Sequence, residues 1–127
     1  MWRLALERLK DARCLFRSRR YDGAAYLCGY VLESALKACI CERLHVSVYP
    51  ETAFQGRLKT HELNDLLLLA GLNEELSPEK HLKNWFVVSD WKPDWRYRLP
   101  GIVKRKDAED RIRVLGREVL PWLRAKS

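Results

Sequence analysis

Trp91, Trp95, Arg96, Tyr97 and Arg98 crowd into one short stretch near the C-terminal third of the chain. Aromatic faces stack on bases, and guanidinium forks grip phosphate. Trp95, Arg96, Tyr97 and Arg98 are therefore candidate contacts for a nucleotide or for single-stranded nucleic acid. The same residues have a purely structural reading, in which Trp91 and Trp95 close the end of a helical bundle while Arg96 and Arg98 pair with Asp90 and Asp94.

Metal-free RNA cleavage needs a base for the 2′-hydroxyl proton and a cation for the phosphate. Of the three histidines, His61 is the candidate base, with Arg57, Arg96 or Arg98 as the cation. The plainer alternative is that His61 starts a short helix and only bonds a nearby backbone group or carboxylate. Glu33 and Lys37 stand four apart on one helix. They form either a surface ion pair worth about a few tenths of a kcal/mol or a partly buried pair at a pocket or dimer seam. Lys104-Arg105-Lys106 reads as a solvated hinge. No glycine-rich phosphate loop, zinc-ligand spacing, catalytic triad or paired-carboxylate motif is present, so the residues imply no cofactor and no metal.

The elements that must position these side chains are helical. An apolar stripe of Trp2, Leu6, Leu9 and Phe16, flanked by Ala5, Ala12 and Leu15, predicts a first helix over residues 2–18. Asp22 reads as the N-cap of a second helix reaching Leu44. Its first half, GAAYLCGYVL, is apolar on every face and demands neighbours all round. Residues 45–60 are irregular, with a few strand-compatible positions around Val46–Tyr49. Thr60 is expected to cap a short helix closed by Gly71. Ser77-Pro78 opens a fourth, with Leu82, Trp85, Phe86 and Ser89 inward. Residues 91–106 are punctuated by Pro93, Pro100 and Gly101. The final helix starts near Asp107, buries Ile112, Leu115, Val119 and Leu123, and should be kinked or shortened near its end by Pro121. The expected fold is all-α, an up-and-down antiparallel bundle of four main helices plus one short helix, in a single domain over 1–127.

Composition sets the class of partner but does not name one. The 127 residues are 47% hydrophobic with only 6 Gly and 5 Pro, which excludes disordered and collagen-like chains. The net charge of +7 is unevenly placed. Residues 1–20 carry seven basic and two acidic side chains, residues 21–79 four and nine, and residues 80–127 thirteen and six. Basic first and last helices lying side by side would suit RNA, a complementary second copy or an acidic protein. Charges every three or four residues in MWRLALERLK exclude a signal-peptide core, and no membrane span is expected. Cys14, Cys28, Cys39 and Cys41 lie in apolar helical patterns and read as buried free thiols of a cytoplasmic protein.

The block RRYDGAAYLCGYVLESALKACICERL resembles the first half of a HEPN domain (higher-eukaryote and prokaryote nucleotide-binding family). The entry motif falls on Tyr21, Asp22, Ala24, Ala25 and Tyr26, and the Glu-x-x-x-Lys-Ala motif on Glu33, Lys37 and Ala38. Downstream, His61, Glu62 and Leu63 are similar to the family's His-acidic-Leu helix, and Trp95, Arg96 and Tyr97 to its Trp-x-Arg-Tyr element. The ordered match spans roughly residues 10–124.

The resemblance implies a homodimeric helical bundle. It also implies a nucleotidyltransferase partner in a toxin–antitoxin or defence module, with nucleotide or RNA as ligand. Many members are metal-independent RNases built on Arg-x(4–6)-His across a dimer interface. Here no arginine has that spacing before His45, His61 or His81; Arg57 lies four residues before His61, one too close. The expected function is thus a non-catalytic nucleotide- or RNA-binding partner of a nucleotidyltransferase. The alternatives are an RNase with a degenerate centre around His61 and a structural dimerisation module.

Overall fold

The computed structural model describes residues 1–76 and 79–127. Among them there is no strand, and the stretch around Val46–Tyr49 is bend and coil. Helix α1 (Trp2–Arg17) packs along α2 (Tyr21–Leu44). They are followed by the short α3 (Leu63–Leu69), then α4 (Glu79–Ser89), α5 (Arg105–Val114) and α6 (Leu120–Lys126). The expected all-α bundle is what the chain forms. The Ser77-Pro78 start of the fourth helix lies outside the described residues.

α2 is the hub. It contacts α1, α3, α4, α5 and α6, and from Val31 to Cys41 every side chain is buried. This helix is long and apolar enough to cross a bilayer, but 83% of its most apolar window is buried inside the protein, as befits a core helix.

α1 meets α2 through Ala5, Leu9 and Ala12, a spacing of four then three that keeps small side chains on one face. Leu6, expected in the stripe, is 48% exposed, because it sits about 100° round the helix from Ala5. Phe86 is corrected for the same reason. Trp85 is buried and donates its indole N–H to Asn64 Oδ1 at 2.9 Å, which turns the adjacent Phe86 out to solvent at 65% exposure.

The boundaries also shift. α3 begins at Leu63 rather than at Thr60, whose hydroxyl instead accepts the Glu62 N–H at 3.1 Å. Gly71 closes it as expected, with φ +75° and the Leu72 N–H reaching Leu67 O at 3.2 Å. α1 ends in a turn with Arg19 left-handed at φ 60°, and the Arg20 N–H returns to Leu15 O at 2.8 Å.

Pro121 does not shorten the last helix. A π turn over Leu115–Val119 sends the Leu120 N–H back five residues to Leu115 O, and the helix then continues through Pro121 to Lys126. The widened turn relieves the clash between the proline ring and the carbonyl one turn earlier. Leu115, Val119 and Leu123 remain buried across it.

One contact fixes the end of the bundle. Trp91, just past α4, lies on Gly29 of α2 so closely that a Cβ there would stand 2.0 Å from two indole ring carbons. Gly29→Ala should therefore unseat Trp91 and destabilise the protein by about 2–4 kcal/mol. Urea unfolding of the variant, with tryptophan emission as the readout, checks this.

Candidate nucleotide-binding cleft

The cleft is built outward from Trp91. Its indole N–H donates to the Tyr26 carbonyl at 3.0 Å. Its ring stacks on Tyr26 (centroids 6.2 Å apart, 27°) and meets Tyr30 edge-on (4.9 Å, 75°). From this anchor the chain enters a 3-10 turn over Pro93–Tyr97, which lays Trp95, Arg96 and Arg98 beside the first turns of α2.

Asp22 closes the other side. Its residue type predicts a cap for α2, but the helix already starts at Tyr21 and has no side-chain cap. Its carboxylate instead accepts the Gly101 N–H at 2.7 Å and the Val103 N–H at 3.0 Å. Gly101 is left-handed at φ +90°, a conformation that other residues adopt only under strain. The two backbone bonds, then the nearby Arg98 and Lys104 charges, hold the Asp22 pKa below the usual carboxylate value.

The result is a cleft of about 310 Å³ whose walls include Arg20, Asp22, Tyr26, Trp95, Arg96 and Arg98. Arg98 lies over the Trp95 ring at 4.1 Å and Arg96 over the Tyr97 ring at 4.8 Å. The anticipated pairs with Asp90 and Asp94 do not form. Asp90 is taken by Arg111 at 3.3 Å, and Arg111 also stands 4.9 Å from the Trp95 ring. Among the described residues Arg96 and Arg98 make no ion pair, and Asp22 spends its acceptors on backbone N–H groups. The three cleft arginines therefore present their charge to solvent. Tyr26 and Tyr30 share a hydroxyl–hydroxyl bond of 3.0 Å, which together with burial raises the Tyr30 pKa to about 12 and keeps it neutral.

This geometry belongs to a recognisable lineage. The family model for the HEPN domain matches residues 1–125. The chain belongs to the HEPN domain family. No curated protein and no solved structure matches it. HEPN membership and the all-helical fold agree, and they place the chain in a family of nucleotide- and RNA-related helical proteins.

Within this HEPN bundle the remaining site residues are dispersed. His61 and Arg57 do not line the cleft. His61 Nδ1 bonds Glu33 Oε1, with the Glu33 side chain 8% exposed and the imidazole 58% exposed. Lys37, also buried, lies 4.8 Å from the Tyr49 ring, so Glu33 and Lys37 do not pair with each other. Arg57 lines a separate apolar pocket with Ile40, Leu44 and Leu69. Tyr97 is 76% exposed.

Arg20 and Tyr26 were missed as cleft residues, although Tyr26 falls one turn after Asp22 on the same helix face. The basic terminal helices do lie together: α1 and α5 touch, and Arg13, Arg113 and Arg117 line a groove between them. Of the cysteines, Cys28, Cys39 and Cys41 are buried, whereas Cys14 is exposed, contrary to expectation. Burial raises Cys28 and Cys39 to about 12, which keeps them as unreactive thiols. No cluster of metal-ligating side chains occurs among the described residues.

Removing the Asp22 clasp should loosen the cleft without unfolding the bundle. Asp22→Ala is expected to cost about 1–2 kcal/mol at pH 7. Because the folded pKa is depressed below 3.8, this contribution is complete above that value and is lost as pH falls through the lower folded value. Denaturation of wild type and variant at pH 7 and pH 2.5 should show the gap closing at acid pH.

Proposed function

We propose that this HEPN protein binds a nucleotide or single-stranded RNA in the cleft formed by Arg20, Tyr26, Trp95, Arg96 and Arg98. It acts without catalysis, as the homodimeric partner of a nucleotidyltransferase in a toxin–antitoxin or defence module. The observation that carries the binding reading is the set of guanidiniums stacked on aromatic rings that form no ion pair among the described residues. Cation–aromatic stacks hold the forks in place, Arg96 is also bonded to the Tyr26 and Tyr97 side chains, and the remaining N–H groups are available to phosphate. Support for the non-catalytic reading comes from the missing Arg-x(4–6)-His spacing and from a cleft whose walls include no histidine. The nucleotidyltransferase partner and the dimer are what the HEPN resemblance implies.

The test is titration with a short single-stranded RNA over a range of salt. Binding should fall steeply with salt, and Arg96→Ala combined with Arg98→Ala should weaken it at least tenfold and flatten the slope by roughly one to two phosphate contacts. Unchanged binding in the double variant, or none at low salt, defeats the reading and leaves a structural dimerisation module.

A second reading has one observation in its favour. Glu33 grips His61 at Nδ1, which fixes the tautomer and leaves Nε2 without a protein partner among the described residues. A carboxylate-held imidazole with one free nitrogen is the arrangement of a general base, so a metal-independent RNase centred on His61 is the alternative. RNA cleavage in EDTA decides between them. The non-catalytic reading expects no cleavage by wild type; cleavage that disappears in His61→Ala establishes the alternative.

A further inference from the structure

The arginine cleft has a neighbour. A second cavity of about 430 Å³ lies across the Trp95–Arg98 ridge, and the two share Trp95, Arg98 and Val103 as walls. Their charge differs. The first is cationic, because three arginines face the single Asp22 carboxylate. The second holds Arg98 and Arg111 against Asp90 and Asp107, and Arg111 is already bonded to Asp90. That leaves the Asp107 carboxylate with no hydrogen bond or ion pair from another side chain among the described residues, in a pocket walled by an indole.

We propose that the two cavities take the two ends of one nucleotide unit, with the phosphate in the arginine cleft and the base in the second cavity, where Asp107 accepts from its exocyclic amino group. This rests on the nucleotide-binding reading above and adds the direction of the ligand and its base preference.

The polarity follows from charge. A phosphate is repelled by an uncompensated carboxylate and drawn to three guanidiniums. A nucleobase is neutral, stacks on a guanidinium or indole face and offers N–H donors that a carboxylate accepts. The base class follows from the same carboxylate. Cytosine, adenine and guanine each carry an amino group. Uracil presents two carbonyl oxygens and a single imide N–H, so Asp107 faces a repulsive edge on either side of one donor. Arg98 lines both cavities, so one guanidinium stands between the base and the phosphate.

Calorimetric titration of the full chain with ribose 5-phosphate, CMP and UMP tests this. CMP should bind about five- to tenfold more tightly than UMP, with ribose 5-phosphate the weakest. Asp107→Asn and Asp107→Ala should reduce the CMP-to-UMP ratio to about one while leaving ribose 5-phosphate affinity unchanged or slightly improved. Two variants guard against a fault peculiar to one, and circular dichroism confirms that α5 survives. If ribose 5-phosphate binds but wild type does not distinguish CMP from UMP, the base pocket is wrong and the phosphate cleft stands. A CMP preference that persists in both Asp107 variants removes Asp107 from the site. If none of the three ligands binds, the nucleotide reading fails and the base pocket with it.

Discussion

A tryptophan lying flat on a glycine organises this protein's surface. Gly29 interrupts the most apolar helix of the chain, where its lack of a side chain weakens helix propensity by about 1 kcal/mol relative to alanine. The absent side chain is the room that Trp91 occupies. Seated there, Trp91 is held by Tyr26 and Tyr30, and the chain leaving it must cross the first turns of α2. The position of Trp95, Arg96 and Arg98 is a consequence of that crossing. The candidate binding side chains thus sit on an irregular segment whose geometry is set by a rigid helix, the usual way for a loop to acquire a defined shape.

The charge of the cleft depends on a similar division of labour. Asp22 is the nearest carboxylate, and an aspartate beside three arginines would ordinarily cancel part of their field. Two backbone N–H groups take its oxygens instead, so it closes the loop without forming an ion pair, and three guanidiniums outnumber one carboxylate in the cleft. Stacking on Trp95 and Tyr97 then restrains the arginines, and Arg96 is held further by hydrogen bonds to the Tyr26 and Tyr97 side chains. The excess positive charge evident in the composition becomes local here and in the groove between α1 and α5.

Much of the fold was legible in the sequence because it rests on periodicity. The helical period of residues 2–18, the all-round apolar α2, the glycine stop at Gly71 and the buried Leu115–Val119–Leu123 stripe are local patterns, although the first helix buries Ala5 and Ala12 with Leu9 and leaves Leu6 exposed. What was not legible depended on partners far along the chain. Asp22 has the residue type of a cap, and its true partners are Gly101 and Val103. Glu33 and Lys37 have ion-pair spacing, yet His61 and Tyr49 claim them. Arg96 and Arg98 stand among aspartates in sequence, but Arg111 reaches Asp90 first. Pro121 announced a break, and the extra residue of the π turn absorbed it. In the first three cases a tertiary contact overrode a local preference, and at Pro121 the helix adjusted within itself.

The cleft also has a place in time. Its closing contacts join residues 65, 79 and 81 positions apart, whereas α1 and α2 meet through a turn of a few residues. Loop-closure entropy rises with separation, and contacts between neighbours in sequence form sooner. A chain emerging from the ribosome can complete the α1–α2 hairpin long before Val103 exists, and during that interval it has a hydrophobic hub but no arginine cleft. The cleft is therefore assembled after the α1–α2 hairpin, and local opening of the 91–103 segment is sufficient to dismantle it.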